Sequence, residues 1–148
     1  MIGKVLVAVD GSESSNKALD FVVDLSAKYS SEVLILNVFQ LPAVYGYPDQ
    51  PLTYQANMAS FIKDLRKVHE DILSKATERA TKVKPDLKIT SDLKEGDPSS
   101  QIVETANQGH FEIIVLGHRG WSGLKEFFLG STSERVAHLA QCTVIVVK

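Results

Sequence analysis

The stretch that decides the fold is Ile113-Ile114-Val115-Leu116-Gly117-His118-Arg119-Gly120, followed after nine further residues by Gly130-Ser131-Thr132-Ser133-Glu134. Ile113 to Leu116 is a short apolar run and reads as a buried strand. Ser131 and Glu134, three residues apart, form a capping box that predicts a helix with Ser131 as its N-cap. A strand, then glycines, then a helix N-terminus is how α/β proteins build an anion site. Backbone N–H groups point out of the turn, and the helix dipole favours negative charge. The segment therefore reads as a grip on nucleotide phosphates.

Working outward, Val5 to Val9 is a second buried run, ended by Asp10-Gly11. Ser12 to Ser15 offer N-caps for a helix whose apolar positions are Ala18, Phe21, Val22, Leu25 and Tyr29. Val33 to Phe39 is again strand-like. Leu41 to about Leu52 carries Pro42, Pro48 and Pro51 and predicts a long loop. From Thr53 to Val83 there is no proline or glycine, and Phe61, Leu65, Val68, Ile72, Ala76, Ala80 and Val83 recur at helical spacing. Leu87 to Leu93 alternates and predicts a half-exposed strand near a sheet edge. Asp97-Pro98 marks a helix start. A last helix with Val136, Ala137, Leu139 and Ala140 leads to the closing strand Thr143 to Val147. The order β-α-β-α-β-α-β-α-β predicts a doubly wound parallel sheet covered on both faces, in one domain spanning 1–148. Ligands of such sheets sit at the strands' carboxyl ends, where the strand order reverses. Asp10-Gly11 and Gly117-His118 both lie at such ends.

Composition sets bounds. The chain has 148 residues, 44% of them hydrophobic and 23% charged, with a net charge of −2. That balance argues against nucleic acid as a partner and against an anionic membrane surface. No run reaches the roughly 18 apolar residues of a membrane span, and the N-terminus reads as a strand rather than a signal peptide, so a cytoplasmic location is expected. The single cysteine, Cys142, reads as a small hydrophobe before the last strand.

The chemistry follows from the loop. Gly117 and Gly120 either adopt positive φ or let phosphate approach the backbone with no β-carbon in the way, and Gly130 does the same before the helix. Ser131 caps the helix, gives its hydroxyl to a phosphate oxygen, or does both. From Gly117 to Arg135, Arg119, Lys125 and Arg135 stand against Glu126 and Glu134, a modest positive balance. A triphosphate would then need Mg²⁺ or Mn²⁺ to share the load, with Asp10 the nearest carboxylate. The alternative role for Asp10 is an Asx-turn or a cap for the first helix. There is no G-x-x-x-x-G-K-[ST], and no G-x-G-x-x-G follows the first strand. No glutamine or glutamate is placed to orient water and there is no assured arginine finger, so a bound nucleoside triphosphate is expected to turn over slowly or not at all. His69 and His110 read as solvated, His138 as packed or surface. No base is placed to activate Ser12 or Ser14, and no cluster has metal-ligand spacing. Trp121, Phe127 and Phe128 pack the loop down or form a protein-docking patch.

These signatures resemble the universal stress protein family. Val5 to Glu13 is similar to its first strand and turn. Gly117-His118-Arg119-Gly120 with Gly130-Ser131 resembles the pattern of its ATP-binding branch. The end of the chain, Ser133 to Val136 and Cys142 to Val147, is similar as well. The resemblance implies strand order 3-2-1-4-5, one ATP (or AMP or ADP) per subunit, and a homodimer through the last strand. It places Asp10 near ribose, phosphates and metal, Ala8 and Val9 beside the adenosine, and Val38 where backbone meets adenine. Gly117, Gly120, Gly130, Ser131 and Thr132 match the phosphate grip. Leu116, His118 and Arg119 complete the candidate cofactor-binding set by position, although no family role carries to the variable pair His118-Arg119. Three functions compete: an ATP-dependent switch or sensor, a nucleotide-independent dimeric interaction module, and a slow ATPase. The intact glycine pattern favours the first.

Overall fold

The computed structural model describes residues 1–42, 49–118 and 129–148. Its elements are β1 (Lys4–Ala8), α1 (Glu13–Tyr29), β2 (Glu32–Phe39), α2 (Leu52–Val83), β3 (Ile89–Glu95), α3 (Pro98–Gln108), β4 (Ile113–Gly117), α4 (Ser131–Leu139) and β5 (Thr143–Val147). The strands form one sheet in the order β3-β2-β1-β4-β5. Every neighbouring pair is parallel, with Val5 beside Val33 on one side and Ile113 on the other. This is the doubly wound α/β fold, and the order reverses between β1 and β4.

Side-chain alternation along the strands splits the core in two. Val5, Val7, Val33, Ile35 and Val115 pack under α1 and α2 through Ala18, Leu19, Val22, Ala76 and Ala80. Leu6, Leu36, Ile114 and Leu116 pack under α3 and α4 through Ile102, Ala106 and Val136. Both faces of the central strands are thus dry, which is why they read as unbroken apolar runs.

The helix starts follow local chemistry. Ser12 caps α1, its side chain accepting from the Ser15 amide. Asp97 caps α3 by accepting from the Ser100 amide, with Pro98 in the first turn. Other expectations need correction. In α1 the buried positions include Leu19 and Val23, while Phe21 and Tyr29 are exposed. β3 begins at Ile89, two residues later than the alternation suggests, but it does form a sheet edge. In α2 Phe61, Val68 and Val83 are exposed, and the buried residues are Ala76 and Ala80. Length explains the exposure of Phe61, though not that of Val68 or Val83, which follow Arg66 in the helix. Thirty-two residues span about 48 Å of helix, whereas the eight of β2 span about 26 Å of strand. Arg66 already meets Glu95, the last residue of β3, so the turns of α2 before it run past the sheet's carboxyl edge. Residues 43–48 of the proline-rich loop lie outside the described residues.

Candidate functional site

A cleft opens where the strand order reverses. Ala8, Val9 and Asp10 follow the end of β1, Leu116 and Gly117 close β4, and Val38 comes from β2. Gly130, Ser131 and Thr132 bring in the start of α4. Nine of the twelve candidate residues therefore meet in one place. His118 does not line the cleft, and Arg119 and Gly120 lie outside the described residues, as do Trp121, Phe127 and Phe128. Sequence reasoning missed Ser15, Leu36, Pro98, Ile102 and Ser133 as lining residues. Their common signal is topological. Ser15, Pro98 and Ser133 sit in the first turns of helices that start on the carboxyl side of the sheet, Ile102 one turn further into α3, and Leu36 beside Ala8 at the end of β1.

The cleft is polarised. Leu36, Val38, Ile102 and Leu116 supply an apolar wall, while Asp10, Ser131, Thr132 and Ser133 supply polar groups. Asp10 is its one charged lining residue among those described. Its Oδ1 accepts from the Ser12 amide at 2.9 Å. That is the Asx-turn alternative, realised, and it orients the carboxylate.

The start of α4 departs from the capping-box expectation. The N-cap is Gly130 (φ −59°, ψ 147°), which makes no side-chain cap hydrogen bond, and Ser131 is the first helical residue. A glycine has no side chain to turn back on the first-turn amides, so they are left to other acceptors. Ser131 and Thr132 thus face the cleft at the positive end of the helix rather than closing it off. Ser133 Oγ donates to the Gly117 carbonyl at 2.6 Å and ties α4 to the end of β4. The Gly130 amide donates to the His118 carbonyl at 2.6 Å, so the two ends of the glycine loop are joined.

For Gly117 and Gly130 the structure removes one of the two expected reasons, positive φ. Among the described residues the glycines with positive φ are Gly11 and Gly96, not Gly117 or Gly130. Gly117 is required by packing. A β-carbon there would stand 2.6 Å from the Ser14 backbone carbon of α1. The first turn of α1 rests directly on the end of β4.

Two histidines depart from their sequence reading. His118 Nδ1 lies 3.0 Å from Ser14 Oγ, so a base does stand beside that serine. His69 is not simply solvated. Its Nδ1 lies 2.7 Å from Oδ1 of the buried Asn37, and its ring stacks on Phe39 at 5.4 Å. Partial burial pushes its pKa below the ordinary value, against a smaller opposing pull from the Asp10 charge. Burial likewise raises the Cys142 thiol, which packs against the α3–α4 side of the core as a small hydrophobe.

The fold and this cleft can now be set beside known proteins. The model of the universal stress protein family matches residues 1–148. The chain belongs to the universal stress protein family. Among relatives of this universal stress protein, YxiE of Bacillus subtilis is 33% identical, the alignment covering all of both chains. MJ0577 of Methanocaldococcus jannaschii has a solved structure with a TM-score of 0.77 and 27% identity, covering 100% of this chain and 96% of that one. UspA of Lactobacillus plantarum, at 21% identity and a TM-score of 0.82 over 99% and 98% of the two chains, shares the fold. Two further family structures hold a nucleotide: one is a complex with cAMP, and one from Archaeoglobus fulgidus is a complex with dAMP. Among the described residues no helix is long and apolar enough to cross a membrane.

Proposed function

We propose that the cleft binds an adenine nucleotide, ATP in the working state, and that the protein is a nucleotide-dependent switch rather than a fast enzyme. The observation that carries this reading is the joining of an apolar slot to a helix N-terminus whose N-cap, Gly130, has no side chain to cap it. The base and ribose would lie against Ala8, Val9, Val38 and Leu116. The phosphates would meet Gly117, Gly130, Ser131 and Thr132, with His118, Arg119 and Gly120 of the loop beside them. The family structures holding cAMP and dAMP support an adenine nucleotide as the ligand class.

A divalent metal fits this site only as part of the nucleotide. Among the described residues no group of three or more His, Cys, Asp or Glu could hold a metal ion. Mg²⁺ is commonly bound through one or two carboxylates plus substrate phosphates, and Asp10 supplies one carboxylate. When bound, the metal would neutralise phosphate charge. Asp10 would hold it, and the amides of α4 would orient the phosphate tail. Among the described lining residues the one charged group, Asp10, is negative, so these residues offer no fixed positive charge to a transferring phosphoryl group. Slow turnover, or none, is the expected behaviour.

A homodimer through β5 belongs to the same proposal. β5 is a sheet edge with four partly buried residues, Val144 to Val147. An apolar edge of this kind is commonly covered by a second chain.

The test is chemical. Purified protein is heat-denatured and the supernatant chromatographed for released nucleotide, alongside melting curves with ATP, ADP, AMP and cAMP. Released ATP and an ATP-dependent upward shift support the switch. Neither one, with dimerisation intact, favours a nucleotide-independent interaction module. Released ADP with steady multiple turnovers would make the protein an ATPase.

A further inference from the structure

We propose that His69, on α2 and outside the cleft, is a positioning residue for the nucleotide site, acting through Asn37 on the Val9–Asp10 peptide. The proposal rests on the nucleotide reading above and adds a residue to that site.

The chain of contacts begins at a buried amide. Asn37, on β2, is 1% exposed. Its Nδ2 donates to the Val9 carbonyl at 2.7 Å. A carbonyl only accepts, so the orientation of the Asn37 amide is settled: nitrogen towards Val9, oxygen away from it. That oxygen faces His69 Nδ1 at 2.7 Å, and since it too only accepts, Nδ1 carries the proton. The ring cannot turn freely, because it stacks on Phe39, whose ring also lies 5.1 Å from the Arg66 guanidinium. His69 therefore satisfies an oxygen that would otherwise be buried and unpaired, and it fixes the angle at which Asn37 grips Val9.

What Asn37 grips matters for the site. Val9 is the last β1-side residue before the turn, and its carbonyl shares a peptide plane with the Asp10 amide. That amide donates to Ser15 Oγ at 3.3 Å. The plane is thus held at both ends, by Asn37 from β2 and by Ser15 from α1. Gly11 follows with φ of 82°, and the Ser12 amide then meets the Asp10 carboxylate. Rotation of this one peptide would swing the side chain that the nucleotide reading assigns to the metal. A helix on one face of the sheet so sets a carboxylate in a cleft lined from the other face.

The experiment compares His69→Ala, His69→Asn and His69→Gln in the full chain. Asparagine places its amide nitrogen where the imidazole Nδ1 stood and keeps the donor; glutamine moves the donor one bond further out. In protein without nucleotide, ¹⁵N spectra should show the Asp10 amide and the Asn37 side-chain amide displaced in His69→Ala and His69→Gln and near wild type in His69→Asn. Titrated with MgATP, the first two should bind about tenfold more weakly or worse, in line with the loss of a group that orients a ligand, and His69→Asn should recover most of it. In an Asn37→Ala background His69→Ala should add nothing, since the two act in series. If His69→Ala does not fold, the asparagine–glutamine contrast carries the test. Unmoved Asp10 signals, or equal affinities across the three variants, would overturn the proposal. Should wild type bind no MgATP, the nucleotide reading fails, and the Asp10 signals still decide whether His69 sets that peptide.

Discussion

Gly117 shows how one residue couples two requirements. It ends β4 at the cleft, and it leaves room for the first turn of α1, whose Ser14 backbone would lie 2.6 Å from an added β-carbon. Backbone does not yield as a flexible side chain does, so Gly117→Ala should cost about 1–3 kcal/mol, read as a lower urea midpoint with an unchanged m-value. His69 gives a second prediction at this scale. Its folded pKa lies below the ordinary 6.5, so the folded state resists its protonation. The stability tied to its neutral form is present above pH 6.5 and is lost as pH falls through the folded value. His69→Asn, which keeps a donor but does not titrate, should flatten the decline in denaturation midpoint between about pH 7 and pH 5. A slope identical to wild type would contradict this. Both residues also mark the limit of the sequence. The glycine at 117 was legible as a site residue, but its reason was not, because the contact that demands it comes from Ser14, 103 residues earlier in the chain. His69 read as solvated because a helical wheel does not reveal a buried Asn37 on a neighbouring strand.

At the scale of elements, α4 is the most informative. The sequence offered Ser131 as a cap, and the structure moves the cap to Gly130, one position earlier. The displaced boundary changes the chemistry, since Ser131 then stands as the first helical residue beside the cleft. Proline is well tolerated at that position and lacks an N–H. Ser131→Pro should therefore leave the melting temperature within a degree or two, yet weaken MgATP binding about tenfold by removing an amide and a hydroxyl. Loss of stability with unchanged affinity would reverse the roles assigned here. The helices with strong local punctuation, Asp97-Pro98 and Ser12, were legible because their caps are built from neighbours in sequence. The exposed stripe of α2 was not, because which of its apolar positions meet the sheet depends on tertiary packing and, for Phe61, on how far the sheet extends beneath it. Periodicity records only that one face is apolar.

For the whole molecule, the layers were readable from the alternation of apolar runs and helices, which calls for a parallel sheet covered on both faces, whereas the strand order came from the family resemblance and the sheet bears it out. The reversal between β1 and β4 then gathers residues from distant parts of the chain into one cleft. The β5 edge predicts association: light scattering at micromolar concentration should give twice the 16.2 kDa chain mass, and a monomer would contradict the proposed dimer.

The account stands most directly on calorimetric titration of nucleotide-free protein with MgATP. It predicts saturable binding of one nucleotide per chain, abolished or strongly weakened by Asp10→Ala and Ser131→Pro in variants that remain folded. Flat titrations at millimolar MgATP, or binding that both variants leave untouched, would contradict it.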